Sequence, residues 1–285
     1  MAIRIRAGCE SSALIFASNL VDAHSPMNSS RHDAEILDQF TRQAEPFAQR
    51  HGYQNDPLLD LMADCAEVKS GDTVLDVACG PGIVSCFFAR LAHHVTGVDF
   101  VPAMLDRARR YQAERQLSNL SWQLGSCTEL PCPDAVFDCV VTRFSFHHFL
   151  EPAAALGEMK RVAKPGGVVL VSDVVPTPET QAAFNHWEIL RDPSHTRALT
   201  QAEFASLGEE AGLVLNRRAD YRMDRDLEEL LSGSFPKPGD AERIRVLFDA
   251  DIRANIDTLG VAARREAGTV RITYPIAVFA WHKPA

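Results

Sequence analysis

The sequence predicts an α/β fold with a parallel, doubly wound sheet, and three observations carry that reading. Short apolar runs of strand length alternate with amphipathic helical stretches between residues 73 and 173. The stretch 74–84, VLDVACGPGIV, ends a hydrophobic run in a Gly-Pro-Gly turn and opens straight into a helix. A chain of 285 residues, 46% hydrophobic and 24% charged, suits one large α/β domain or a domain with a cap.

The elements follow in order. From Asp33, the positions Ile36, Leu37, Phe40, Ala44 and Phe47 keep helical spacing, and Pro46 is expected to break or kink that helix. A second helix over 56–67 starts at Asp-Pro and carries Leu58, Leu59, Leu61 and Met62. Ser70-Gly71-Asp72 turns the chain into a first strand, 73–78. Past the glycine turn, Val84, Phe87, Phe88 and Leu91 give a helix that packs on the sheet. A second strand is expected at 94–98, a helix at 103–116, a short strand at 120–124 and a fourth strand at 137–142. The helix 151–163 carries Pro152 in its first turn, where the missing donor is not needed. Lys164-Pro165-Gly166-Gly167 stops it and leads to a fifth strand, 168–173. Regular alternation is then lost until a helix at 200–211 and a strand at 213–222. Helical stretches at 226–231 and 240–256 precede a last strand at 269–282, so the closing strands read as a sheet edge carrying a lid.

Composition narrows the classes of function. Lys and Arg number 29 against 38 Asp and Glu, a net charge of −9 with no basic block, so nucleic acid is not expected as a partner. The seven cysteines, at 9, 65, 79, 86, 127, 132 and 139, form no C-x-x-C pair and read as reduced thiols of a cytoplasmic protein, without a disulfide or zinc framework. No apolar run is long enough to span a bilayer. The N-terminal run ALIFASNLV is too short for a secretory leader and is broken by Ser18 and Asn19, so residues 1–26 read as a disordered tail with Met27 as a natural start.

The chemistry begins at the glycine turn. Glycines after a first strand let a ligand approach the backbone, and an acid ending the second strand, Asp99 in HVTGVDF, can accept two hydrogen bonds from a ribose diol. Together they point to a nucleoside-containing cofactor. The third position of a dinucleotide G-x-G-x-x-G turn is Ser85 here, and no tyrosine is followed four residues later by lysine, so a nicotinamide oxidoreductase fits imperfectly.

In order along the chain, VLDVACGPG, VTGVDF, GSCTELP, FDCVVTRFSFHHF and LGEMKRVAKPGG resemble the class I S-adenosylmethionine-dependent methyltransferases, especially the small-molecule branch similar to the ubiquinone/menaquinone methyltransferases. The match covers about residues 33–175, with a weaker one in LRDPSH and LTQAEFASLGEEAGL. The resemblance implies a Rossmann-like, seven-stranded, mostly parallel sheet whose last strand is antiparallel. The chain is expected to divide into a flexible N-terminal tail (1–30), N-terminal helices over the acceptor pocket (31–68), a cofactor-binding core (69–175) and a C-terminal part of the sheet with a helical lid insertion (176–285). On that pattern S-adenosyl-L-methionine is the cofactor. Asp76, Gly80 and Gly82 would frame its methionine moiety and Asp99 would hold the ribose. Phe100 and Met104 would flank the adenine, Ser126 and Cys127 would meet its edge, and Thr142 would lie beside the sulfonium. Ser126 stands where the family usually has Asp.

The acceptor is read as a small molecule, with O-, N- and C-methylation left open and a homodimer allowed. His147 and His148, following the fourth strand, are candidates for a base that takes the acceptor's proton, or only shape the loop or, as for His147, bind the substrate. Arg143 would orient an anionic acceptor or sit in a buried ion pair, and His186 and His195 lie in the segment that would cover the acceptor. No metal site is expected. Pro131-Cys132 precedes the fourth strand and reads as a turn, unlike the nucleophile of DNA cytosine methyltransferases, and TRFSFHH lacks the signature of the amino-methylating DNA enzymes. The alternatives are a same-fold protein that binds the cofactor without methyl transfer, as a cyclase or regulatory partner, and a nicotinamide-dependent oxidoreductase.

Overall fold

A computed structural model describes residues 26–49 and 56–285. The proposed tail up to residue 25 lies outside the described residues, while 26–30 already belong to a helix. That helix, α1 (Pro26–Gln49), runs through Pro46 where a break was expected. Proline removes one backbone donor, here in the last turns of the helix. Asp56 begins α2 (Pro57–Ala66): its side chain accepts the Leu58 N–H at 3.0 Å, and Pro57 occupies the first helical position.

The parallel strands are β1 (Thr73–Val77), β2 (His94–Asp99), β3 (Leu120–Leu124), β4 (Phe137–Arg143) and β5 (Ala163–Val174). Between them run α3 (Ile83–Phe88), α4 (Pro102–Glu114) and α5 (Pro152–Val162). Strand β5 starts at Ala163, directly at the end of α5, because Lys164 to Gly167 form an irregularity inside the strand instead of a separate turn. After β5 comes α6 (Gln181–Arg191), where no helix was expected, then α7 (Gln201–Glu210), opened by a Thr200–Glu203 capping box. Strand β6 (Val214–Asp226), α8 (Leu227–Ser232), α9 (Asp240–Ala254), β7 (Arg264–Glu266) and β8 (Thr269–His282) complete the chain.

The sheet order is β3-β2-β1-β4-β5-β8-β6, with β7 pairing only with β8. Strand β8 runs antiparallel to both β5 and β6, so the expected seven-stranded sheet is present and gains a short eighth strand through the β7–β8 hairpin. Alternation along the strands feeds two cores. Val74, Cys139, Val141, Leu170 and Val278 join α2, α3, α6, α8 and α9 on one face. Leu75, Val77, Val140, Val169, Val171 and Phe279 meet α5 and α7 on the other. Order 3-2-1-4-5 places the reversal of winding between β1 and β4, and crevices at the carboxyl ends of such strands are where ligands bind. Helix α1 lies against α4 at that end, through Ile36, Leu37, Phe40 and Ala44 on Val101 and Met104. No described helix is long and apolar enough to cross a membrane.

Candidate active site

At the end of β1 the chain turns sharply. Ala78, Gly80 and Gly82 all take left-handed backbone angles, φ 53°, 51° and 81°. At Gly82 an added Cβ would lie 2.7 Å from the Trp122 ring and 3.0 Å from Ala108, so only glycine lets the start of α3 pack against β3 and α4. Gly80 has open space instead, with nothing within 4 Å of an added Cβ, and it lines the cavity.

That cavity measures about 460 Å³ and spans the carboxyl ends of β1, β2, β3 and β4, with α1 closing one side through His32, Asp33, Ile36 and Phe40. Two buried carboxylates reach it. Asp99 accepts the Gly80 N–H at 2.7 Å and the Val101 N–H at 2.8 Å; burial pushes its pKa up to about 6, against these backbone donors. Asp76 is 1% exposed and accepts the Ser85 hydroxyl at 2.5 Å. Burial pushes Asp76 up to about 7, with the Ser85 bond opposing and the Asp99 charge adding to the rise. Ser85, at the position where a dinucleotide turn has its third glycine, thus serves to hold Asp76.

Phe100, 38% exposed, and buried Met104 line the cavity beside β2; Ser126 and Cys127 line it beyond β3. Ser126 Oγ accepts the Thr128 N–H at 3.2 Å, and burial raises the Cys127 thiol to about 12, so it stays protonated. Thr142 is fully buried and does not line the cavity: its hydroxyl donates to Val77 O at 2.7 Å and lies 2.5 Å from Ser145 Oγ, tying β4 to the end of β1. Arg143 lines the cavity wall and is held in a buried ion pair with Asp56, to which Tyr221 also donates at 3.3 Å.

The histidines group behind this wall. His147 Nδ1 is 2.6 Å from Asp173 Oδ1 at the end of β5; burial lowers its pKa, but the Asp173 carboxylate outweighs this and raises it. His148 Nδ1 is 3.0 Å from Ser194 O, and burial together with the neighbouring His147 holds it far below its ordinary value. His195 Nε2 pairs with Asn185 Oδ1 at 2.8 Å, its ring centre 5.4 Å from that of His147, and burial keeps it neutral. The carbonyl of His148 accepts from His32 of α1 at 2.8 Å, and Gln43 of α1 donates to Asp192 Oδ2 at 3.0 Å.

A family model described as a methyltransferase domain matches residues 75–171, the span that builds this crevice. An uncharacterized methyltransferase of Bacillus subtilis, YcgJ, is 31% identical over 170 residues, 59% of this chain and 67% of that protein. Demethylmenaquinone methyltransferase of Thermus thermophilus is 30% identical over 202 residues, 70% of this chain and 84% of that one. The chain belongs to the class I S-adenosylmethionine-dependent methyltransferases. The crystal structure of the Bacillus YcgJ protein shares the fold, with a TM-score of 0.73 at 23% identity over 80% of this chain and 98% of that chain. The relatives favour methyl transfer over the nicotinamide oxidoreductase and over a same-fold protein without transfer.

Of the residues singled out in the sequence of this methyltransferase, Asp76, Gly80, Asp99, Phe100, Met104, Ser126, Cys127, Arg143 and His148 line one cavity. Gly82 and Thr142 stand behind its wall, and His147 faces a smaller chamber next to it. His195 is buried beside His147 without lining either space, and His186 is exposed on α6 and reaches neither. Asp173 and Asp56 were not singled out as site residues, and Ser85 was read only as the missing third glycine of a dinucleotide turn. Asp173 carried a signal that could have found it, an acid at the carboxyl end of a parallel strand, as Asp76 and Asp99 are.

Proposed function

We propose that this methyltransferase binds S-adenosylmethionine in the 460 Å³ cavity and transfers its methyl group to a small organic acceptor beside it. The observation that carries the reading is the convergence of Asp76, Asp99 and the Gly80–Gly82 turn on one cavity at the carboxyl ends of β1 and β2. The residues suit that donor: acceptor-only carboxylates match a cationic, diol-bearing ligand, and the open side of Gly80 admits it to the backbone. Asp99 would hold the ribose hydroxyls, and Asp76 with the backbone at Gly80 and Gly82 would frame the methionine end. Phe100 and Met104 would flank the adenine, with Ser126 and Cys127 at its edge. Thr142 would act through Ser145, fixing the wall near the sulfonium. The bound donor supplies a positively charged sulfur that is already a leaving group, so the protein's task is to align the acceptor and exclude water.

Helix α1 and the α8–α9 segment would cover the acceptor. The cavity lies in the range typical of small-molecule sites, and the net charge of −9 argues against a nucleic-acid substrate. The six described cysteines are free thiols, which supports a reducing, cytoplasmic setting. Calorimetric titration with S-adenosylmethionine tests the reading. Asp99→Ala should weaken binding by about 1–3 kcal/mol, the worth of hydrogen bonds to a charged group; unchanged affinity would remove Asp99 from the site.

A further inference from the structure

A second chamber, of about 90 Å³, adjoins the first, and Phe40, Phe144 and His148 line both. His147 forms part of its wall together with apolar Val174, Met223, Leu230 and Ile276. The chamber is smaller than the roughly 150 Å³ that takes up a benzene ring, so it suits the substituent of a ring and not the ring itself.

Asp173 grips His147 twice, accepting its backbone N–H at Oδ2 (3.3 Å) and facing its ring Nδ1 at 2.6 Å through Oδ1. An ionised carboxylate only accepts, so Nδ1 carries the hydrogen and Nε2 of the neutral ring keeps its lone pair. Among the described residues no hydrogen bond engages Nε2. We propose that His147 Nε2 accepts the proton of a phenol- or enol-type methyl acceptor whose hydroxyl enters this chamber, with Asp173 as the positioning residue that fixes the tautomer. The proposal rests on the larger cavity being the donor site. The hydroxyl proton passes to Nε2; the oxygen keeps the electron pair that attacks the methyl carbon, and the methyl–sulfur bond breaks with its pair left on sulfur. The imidazolium then returns its proton to solvent.

The class follows from proton affinity and shape. An imidazole is matched to an acid ionising near ~10, as phenols do, far better than to an alkyl alcohol near the ~16 of water. An aromatic amine is uncharged at neutral pH and attacks with a free pair, so it needs no base beforehand. Phe40 and Phe144, at the shared wall, put aromatic rings beside the path of a planar acceptor. The other charged and titratable groups around His147 are largely spoken for. Glu188 pairs with Arg191 at 2.5 Å and accepts the Tyr274 hydroxyl at 2.6 Å, and Asp192 is held by Gln43 and Ser194. His148 and His195 are held neutral, and Arg225 of β6 lines the far wall. Asp173 is therefore the carboxylate that balances an imidazolium at His147.

The probe is para-nitrophenol, whose phenolate absorbs visibly, titrated into protein loaded with S-adenosylhomocysteine at a pH where the free phenol is protonated. Wild type should ionise the bound probe, lowering its apparent midpoint by about one pH unit or more, a tenfold change in ratio. His147→Gln should abolish the shift while calorimetric affinity for S-adenosylhomocysteine is kept, and Asp173→Asn should reduce it. Failure of wild type to bind or ionise the probe, or an equal shift in His147→Gln, would overturn the proposal; the wild-type titration decides alone if the variants do not fold. Absence of S-adenosylhomocysteine binding would instead overturn the donor-site reading, and this proposal with it.

Discussion

Asp76 and Asp99 are both pushed up by burial, to about 7 and about 6, although each has hydrogen-bond donors that favour its ionised form. A ligand carrying an ammonium and a sulfonium reverses that balance, because a nearby cation favours carboxylate. The sign follows: near pH 6–7 the ligand-free protein holds protons on these acids that the complex gives up. Affinity for S-adenosylmethionine should therefore fall as pH drops through this range, and binding there should release protons. Calorimetry in two buffers of different ionisation enthalpy measures this; a protonation change of zero would mean the carboxylates do not feel the ligand. The residue-scale site was legible where its parts are close in sequence, as in the turn from Asp76 to Ser85. Pairings that the fold closes across long separations, such as Asp56 with Arg143 or His147 with Asp173, leave no local spacing to read.

The strand-to-helix turn between β1 and α3 is the element on which the proposed donor site depends. Its two glycines do different work. Gly82 is both left-handed and pressed against Trp122 and Ala108, so Gly82→Ala should destabilise the fold by about 2 kcal/mol or more in urea unfolding. Gly80→Ala carries only the left-handed cost, about 1 kcal/mol, but its methyl would enter the space where the donor approaches, so it should weaken S-adenosylmethionine binding more than stability. Equal effects of the two on stability would contradict the steric account. Most elements were legible because alternation along strands such as Val74-Leu75-Asp76-Val77 sorts side chains to opposite faces. Helix α6 was missed although Phe184, Trp187 and Leu190 recur every third residue. Strand β7 is three charged or polar residues, and only the hairpin turn at Ala267-Gly268 makes it a strand.

Across the whole molecule, α1 is the part that would tie the proposed donor and acceptor spaces together. It lines the main cavity and is held to the rest of the fold by His32 on His148 O, Gln39 on Ser234 O, Gln43 on Asp192 and Glu45 on Arg107 and Arg110 of α4. A donor bound beneath it should add to those few polar ties, so hydrogen exchange in α1 should slow on adding S-adenosylhomocysteine, while β1 and β4, deep in the sheet, change little. Uniform slowing throughout the chain would point to general stabilisation by mass action instead. A crystal structure with S-adenosylhomocysteine tests most directly whether the crevice at β1 and β2 is the donor site. The ligand's ribose hydroxyls are expected on Asp99, its amino-acid end at Asp76 and Gly80, and its adenine between Phe100, Met104 and Ser126. Density for the ligand elsewhere, with Asp99 still bonded only to Gly80 and Val101, would contradict that assignment.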